Sequence, residues 1–111
     1  MKLKRSIFYL DQKMIKVILE RHVRKENYDK LIANLNDLRA VSLRQPGYVT
    51  GETLIKGDDP IDVLVISTWI SEAHWNAWTT LEERIVLNNL INRLIDGEAK
   101  ISIYKTASEE D

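Results

Sequence analysis

Three tryptophans lie within ten residues of this chain, at Trp69, Trp75 and Trp78. Indole rings bury a large apolar area and stack on other rings, so a group of them can wall a pocket for an aromatic ligand. Tyr48, at the start of a predicted strand, is a fourth candidate for that wall. We predict that these four residues bind substrate, with packing in a core or a subunit interface as the alternative.

Polar groups that could act on such a ligand are few. Histidine is the side chain best suited to acid–base chemistry near neutral pH, which makes His22 and His74 candidate bases. Arg84 and Asn88 stand one helical turn apart, where both could face a developing oxyanion. We predict His22, Arg84 and Asn88 as the catalytic group. The alternatives are a surface ion pair between His22 and Glu20, a solvated His74, and surface positions for the other two.

Other chemistries lack their residues. The chain has no cysteine and two histidines far apart in sequence, so no metal site is predicted. Its four glycines form neither a nucleotide-binding fingerprint nor a phosphate loop, and no serine stands in a nucleophile elbow. We therefore expect an activity without a cofactor, of the kind that needs few protein groups.

The pattern of apolar residues predicts the elements that position these groups. Residues Met14 to Val23 alternate as a strand, and the apolar stripe from Tyr28 to Leu38 is typical of a helix with Asn27 as its N-cap. The further predicted elements are strands at 48–55 and 61–70, a helix from Ser71 to Thr79, a helix at about 81–95, and a strand that includes 101–104. Capping-box spacing of Thr80 and Glu83 would begin the last helix after a bend near Thr79, and Gly97 would end it.

The order strand, helix, strand, strand, helix, strand predicts an α+β fold, a ferredoxin-like βαββαβ sandwich with an antiparallel sheet. Both helices would cover one face of that sheet, which leaves the other face to solvent. The first and third strands are nevertheless apolar on both sides, as in Val63-Leu64-Val65-Ile66. We therefore expect a homodimer that packs sheet against sheet, because burying apolar area is worth about 25 cal/mol per Å².

The chain of 111 residues fits one domain, which we place at 14–106, with an N-terminal arm or extension at 1–13 and a disordered tail at 107–111. Sixteen basic residues against 17 acidic ones give a net charge of -1, so we expect neither nucleic acid nor membrane as a partner. Ile7 to Leu10 is too short for the apolar region of a signal peptide, and we expect a cytoplasmic protein.

Several segments in order resemble the antibiotic biosynthesis monooxygenase family of dimeric α+β barrels. They are Met14-Ile15-Lys16-Val17-Ile18, Gln45-Pro46-Gly47-Tyr48-Val49, Asp58-Asp59-Pro60, and Val65-Ile66-Ser67-Thr68-Trp69 running into Trp75 and Trp78. The resemblance covers residues 14–106. It implies a ferredoxin-like dimer, in agreement with the fold reached from the residues alone.

The resemblance implies a cofactor-independent monooxygenase of a small aromatic or polyketide-like compound. A non-catalytic barrel that binds a small apolar ligand, and a module in which the aromatic residues only pack, are the alternatives. The family also includes haem-degrading enzymes that hold haem with an asparagine, a tryptophan and a histidine. Trp78 matches that tryptophan, but Glu20 and Asn88 occupy the other two positions, and an asparagine is a poor substitute for an axial imidazole.

Overall fold

The computed structural model of the chain describes residues 13–107. Within that range the chain forms four strands and three α-helices, with a short 3-10 helix before the first of them. In chain order they are β1 (Ile15–Val23), the 3-10 helix (Lys25–Asn27), α1 (Tyr28–Ser42), β2 (Tyr48–Gly57), β3 (Ile61–Trp69), α2 (Glu72–Thr79), α3 (Glu82–Asn92) and β4 (Ile95–Lys105). Apart from Lys13 and Ala107, the predicted arm and tail lie outside the described residues.

The four strands form one antiparallel sheet in the order β2-β3-β1-β4. This is the ferredoxin-like α+β arrangement, and the prediction of the fold class is confirmed. The two central strands, β1 and β3, pair along their whole length, with Ile15 opposite Trp69 and Val23 opposite Ile61. Because paired residues share a face, the register fixes which side chains meet on each side of the sheet.

The helix-facing side of the sheet carries the core. Alternate residues of β1, namely Ile15, Val17, Leu19, Arg21 and Val23, are buried on this side. One apolar cluster joins the first three of them to Val41 of α1 and to all three tryptophans. A second cluster joins Val23 to Leu31 and Leu35 of α1 and to Ile91 of α3. The helices therefore cover one face of the sheet, as the alternation of β1 predicts.

The opposite side of the sheet, here called the open face, has no helix over it among residues 13–107. Its centre is apolar: Ile18 pairs with Ile66, and Leu64 lies beside Leu54, which is 47% exposed. Charged side chains of both signs surround this centre on the same face, and these are Lys16, Glu20, Glu52, Lys56, Asp62, Asp96 and Lys100. The expectation that the central strands are apolar on both sides is met at Ile18, Leu64 and Ile66.

The helical half departs from prediction at three caps. Asn27 is the N-cap residue of α1, as predicted, but its side chain makes no capping bond, and its amide instead donates to the carbonyl of Leu94 at 3.4 Å. The bend near Thr79 is present, but Thr80 closes α2 by donating to the carbonyl of Ala77 at 3.0 Å. The predicted capping box is therefore wrong, because the Thr80 hydroxyl bonds backward and Leu81 precedes α3 without a capping side chain.

The predicted end of the last helix is also wrong. Helix α3 ends at Asn92, and β4 already begins at Ile95, so Gly97 lies inside a strand. Between Glu20 and His22 the β1–β4 pairing shifts, because their partners on β4 are Lys100 and Asp96. Gly97 lies within this bulge with a φ of +69°, a backbone conformation that glycine adopts at low cost.

None of the helices in the described part of the chain is both long enough and apolar enough to cross a membrane.

Candidate functional site

A cavity lies between α1, the helix-facing side of the sheet and α2. Its walls come from the C-terminal half of α1, from β2 and β3, from β1 at Leu19 and Arg21, and from Trp75, Trp78 and Arg84. The cavity has a volume of about 70 Å³ and is partly open to solvent. Small-molecule sites commonly measure ~300–1,000 Å³, so a ligand larger than one ring must extend into the open mouth.

Aromatic rings form one wall of the cavity around Trp69. The Tyr48 ring meets the Trp69 ring edge to face at 5.3 Å between centroids, and Trp75 does so at 5.8 Å. Trp78 stacks on Trp69 at 5.9 Å with 29° between the ring planes. The indole N–H of Trp69 donates to Ser67 Oγ at 3.0 Å, which fixes the central ring. The structure thus brings the four predicted aromatic residues to one wall, and their role in binding stays a prediction.

The close approach of Tyr48 depends on a glycine. A β-carbon added to Gly51 would lie 2.5 Å from the Tyr48 hydroxyl, so a side chain at this position would displace the phenol ring. Gly51 faces Ser67 across the β2–β3 ladder, on the helix-facing side of the sheet. The missing side chain is what allows Tyr48 to lie along β2 and border the cavity.

Arg84, near the start of α3, lies against this wall. Its guanidinium carbon is 5.3 Å from the ring centroid of Trp75 and 5.9 Å from that of Trp78. The residue is 8% exposed, and its Nε has no hydrogen-bond partner within residues 13–107. Burial lowers the pKa of the Arg84 guanidinium. The aromatic faces attract this cation, because the ring quadrupole is negative above and below the ring plane.

Arg21 is the residue that sequence reasoning missed. It is 1% exposed, and its Nε and Nη1 have no partner in the described part of the chain. Burial, and secondarily the charge of Arg84, lower the pKa of Arg21 to about 10. A signal was present in the sequence, since Arg21 continues the alternation of Ile15, Val17 and Leu19 and therefore had to point toward the helices.

Asn88 has a different place from the one predicted. Its Oδ1 accepts a hydrogen bond from Nη2 of Arg21 at 3.4 Å, and the residue is not part of the cavity wall. Asn88 and Arg84 do lie one turn apart on α3, as the sequence indicates. The structure therefore brings Arg84 to the cavity and uses Asn88 to hold Arg21 beside it.

His22 does not line the cavity beside the tryptophan wall. It lies on the open face of the sheet, where its Nδ1 is 2.5 Å from Asp62 Oδ1 and both side chains are largely exposed. The surface ion pair weighed for His22 is present, with Asp62 rather than Glu20. His74 lies at the start of α2, where its Nδ1 bonds Ser71 Oγ at 2.7 Å and its ring packs against Gly47. Neither histidine of the chain lines the cavity.

The donor set does not fit haem. No imidazole lines the cavity, and Asn88, which stands in place of the axial histidine, is engaged with Arg21. Glu20, at the first-strand position, pairs with Leu64 on the open face, away from the cavity. A buried pair of guanidinium groups occupies the space beside the tryptophan wall instead.

The part of the chain that the structure describes gives the cavity a cationic lining without a compensating acid. Arg39 of α1 joins Arg21 and Arg84 among its lining residues, and Glu52 is the one carboxylate residue of 13–107 that borders it. The register of Glu52 opposite Ile66 directs its side chain to the open face. Within residues 13–107, neither Arg21 nor Arg84 forms an ion pair. An anionic group is what this arrangement is equipped to bind.

The sequence matches one protein-family model, described as antibiotic biosynthesis monooxygenase, over residues 14–84. This range contains every residue of the aromatic wall together with Arg21 and Arg84. No curated protein matches the sequence significantly.

Solved structures share the fold at low sequence identity. A conserved protein from Methanosarcina mazei Go1 superposes with a TM-score of 0.80 at 16% identity, over 90% of this chain and 99% of that one. A conserved protein of unknown function from Bacteroides thetaiotaomicron gives 0.77 at 20% identity, over 86% and 99%. SnoaB, a cofactor-independent oxygenase from Streptomyces nogalater, gives 0.71 at 15% identity, over 88% and 96%. These similarities establish the fold.

Proposed function

Because the chain belongs to the antibiotic biosynthesis monooxygenase family, we propose that it is a cofactor-independent monooxygenase of a small aromatic or polyketide-like compound. The observation that carries this proposal is the Arg84 guanidinium, buried against the indole wall of a cavity. The wall offers stacking surfaces to a flat substrate, and the cation lies where charge on that substrate would develop. The fold shared with SnoaB supports the same assignment.

The chemistry needs little beyond binding and charge stabilisation. An activated methylene of the substrate loses a proton, and the resulting carbanion reduces and adds dioxygen to give a peroxide. Loss of water from the peroxide leaves a ketone, so the balance is R₂CH₂ + O₂ → R₂C=O + H₂O. The substrate itself supplies the electrons. The protein has to bind the flat ring system, stabilise the enolate form of the carbanion and keep the reacting carbon open to dioxygen.

Deprotonation does not require a histidine in the cavity. The positive charges of Arg84 and Arg21 favour the anionic form of a bound acid and therefore lower the pKa of the substrate. The effect is strong because both guanidinium groups are buried, 8% and 1% exposed, and water screens them little. In this proposal the arginines replace His22, which lies on the other side of the sheet, and solvent at the mouth accepts the proton.

Oxygen uptake tests the proposal directly. The purified protein is mixed with a panel of anthrones and hydroquinones, and dioxygen consumption is followed without added flavin, haem, metal or reductant. We expect turnover of at least one compound, with one atom of labelled dioxygen in the ketone and the other in water. No uptake across the panel, together with ligand binding that changes tryptophan fluorescence, would identify a non-catalytic binding barrel instead.

A pair of variants assigns any activity to the cavity. Replacing Arg84 with Met removes the cation beside the indole rings, and we expect kcat/KM to fall about 100-fold, the usual cost of losing a charge-stabilising donor. Arg93→Met removes an exposed cation from the end of the same helix and should leave kcat/KM unchanged. Equal kcat/KM values for Arg84→Met and Arg93→Met would show that the reaction does not take place in this cavity.

We also propose that two copies pair through their open faces. The apolar centre formed by Ile18, Leu54, Leu64 and Ile66 is uncovered among the described residues, and its charged border has both signs. A two-fold axis brings the same patch of each copy together, so lysines of one copy can meet carboxylates of the other. The helix-facing cavity of each subunit would remain complete within its own chain.

A further inference from the structure

The site holds two buried arginines, Arg21 and Arg84, whereas one cation is enough to stabilise the charge that develops on a single oxygen atom of the substrate. Arg21 keeps two unpaired donor groups, Nε and Nη1, and Arg84 keeps its Nε unpaired. Buried guanidinium groups are normally neutralised by a carboxylate or fully hydrogen-bonded, because an unpaired buried charge costs several kcal/mol. Here the described residues supply Arg21 with one long hydrogen bond from its Nη2 to Asn88 and no acid.

Both groups remain cations at neutral pH. The pKa of Arg21, although lowered, stays at about 10, so at neutral pH the protonated form of this side chain predominates. Desolvation and the neighbouring charge of Arg84 therefore destabilise the folded protein when the cavity is empty, and they do not remove the proton from Arg21. A ligand that brings a negative charge relieves both costs at once, while a neutral ligand relieves neither.

No acid among residues 13–107 matches the unpaired charge, which leaves that role to an anion from solution. No histidine lines the cavity, and the register of Glu52 directs its side chain to the open face, so the wall has no base poised near neutral pH. A neutral phenol, with a pKa of about 10, would have to ionise on binding. A carboxylate, with a pKa of about 4, arrives already charged.

We propose that the site takes an aromatic carboxylate, with the carboxylate paired to Arg21 and the ring lying along the tryptophan wall. Arg84, held over the faces of Trp75 and Trp78, is then left to meet the negative charge that develops at the reacting carbon. The inference names the substrate class for the function proposed above and rests on it to that extent. Binding of the carboxylate does not require turnover.

Benzoate, benzyl alcohol and acetate form a matched set of probes for titration calorimetry on the full chain. Benzoate has the ring and the charge, benzyl alcohol has the ring alone, and acetate has the charge alone. We expect benzoate to bind about 10-fold or more tightly than either of the others, since a hydrogen bond to a charged group is worth ~1.5–3 kcal/mol. Equal affinity for benzoate and benzyl alcohol would overturn the proposal.

Substitution locates the charge that benzoate recognises. In Arg21→Met we expect the preference for benzoate over benzyl alcohol to fall to about 2-fold or less, with benzyl alcohol still bound. The variant should fold, because Met fills a similar length without a charge. Arg93→Met, which loses an exposed cation directly after α3, should keep the full preference. An undiminished preference in Arg21→Met would overturn the assignment to this residue.

The two proposals fail separately. One outcome is a preference for benzoate that depends on Arg21, with no oxygen uptake from any anthrone or hydroxylated aromatic acid. This outcome would support the anion site and contradict the monooxygenase activity. The other outcome is oxidation of neutral anthrones at equal rates by the wild type and Arg21→Met. This outcome would support the monooxygenase activity and contradict the proposal that the substrate is a carboxylate.

Discussion

Asn88 accepts, through Oδ1, a hydrogen bond from Nη2 of Arg21 at 3.4 Å, and this contact links α3 to the central strand β1. It is the one hydrogen bond that the Arg21 side chain makes within the described residues. Its Nε and Nη1 are buried without a partner in the described part of the chain, and the charge of Arg84 lies near enough to lower the pKa of the group. The stability of the buried Arg21 side chain therefore depends on a single neutral partner among the described residues.

We expect Asn88→Ala to lower the free energy of unfolding by about 1–3 kcal/mol, because it leaves the buried Arg21 guanidinium without any partner. Urea denaturation measures the change. Asn89→Ala, at the adjacent exposed position of α3, is the control and should change stability little. In an Arg21→Met background the cost of Asn88→Ala should shrink toward that of the control. An equal cost in both backgrounds would show that Asn88 acts independently of Arg21.

Arg21→Met should make the empty protein more stable at neutral pH. The pKa of Arg21 is about 10 in the folded chain, well below the ordinary value of a guanidinium group. This difference corresponds to a penalty on the order of 3 kcal/mol, and replacing a buried charge with an apolar group commonly gains ~1–4 kcal/mol. Thermal or urea denaturation without added anions measures the gain. A variant less stable than the wild type would contradict the account of an uncompensated charge.

The same variant should lose its advantage at high pH. Above about pH 10 the folded chain releases a proton from Arg21 that the unfolded chain still holds, so the unfolding free energy of the wild type gains a rising contribution there. Arg21→Met lacks that contribution. The stability difference between the two proteins should therefore be constant below pH 10 and narrow above it, whereas the difference between wild type and Arg93→Met should show no such narrowing.

Gly51→Ala should damage the aromatic wall through Tyr48. The added methyl group would lie 2.5 Å from the Tyr48 hydroxyl and must displace the ring, a change that typically costs about 1–3 kcal/mol. We expect weaker binding of benzoate by calorimetry, along with reduced stability. Tyr48→Phe removes the clashing oxygen, so the double variant should recover part of both losses. A double variant as impaired as Gly51→Ala alone would locate the strain outside this contact.

Ile18→Lys should separate the proposed dimer while leaving each chain folded. The substitution puts a charge at the centre of the open face, where Ile18 pairs with Ile66. We expect the mass in light scattering to fall from that of two chains to that of one, with a cooperative thermal transition retained. Ile85→Lys, at a 44% exposed position on α3, should remain a dimer. A wild type that is monomeric at all concentrations would exclude this interface.

The strand half of the molecule could be predicted from alternation alone. The alternation of residue types places Ile15, Val17 and Leu19 on one side of β1 and Ile18 on the other, as the structure has them. The same rule also places Arg21 among the buried residues, but a charged residue is rarely buried without a partner. Reasoning from pKa favoured His22, the adjacent residue, whose side chain the alternation directs to the opposite face.

The caps were less predictable because they depend on competition between local bonds. Thr80 and Glu83 have capping-box spacing, yet the Thr80 hydroxyl bonds the carbonyl of Ala77 at the end of α2. Gly97 is typical of a helix end, yet its positive φ serves a bulge of β4. Both signals were real features of the backbone. The sequence alone does not say whether such a signal belongs to the element before it or after it.

Strand β1 separates two environments. The Arg21 side chain lies on the cavity side of the sheet, while those of Glu20 and His22 lie on the open face. A shift of one residue in the pairing of β1 would reverse these positions. The carboxylate of Glu20 or the imidazole of His22 would then lie on the same side of the sheet as Trp78, and the Arg21 guanidinium would lie on the open face. Insertions or deletions within this strand should therefore abolish ligand recognition and subunit pairing together, whereas changes in the β2–β3 hairpin tip should leave recognition intact.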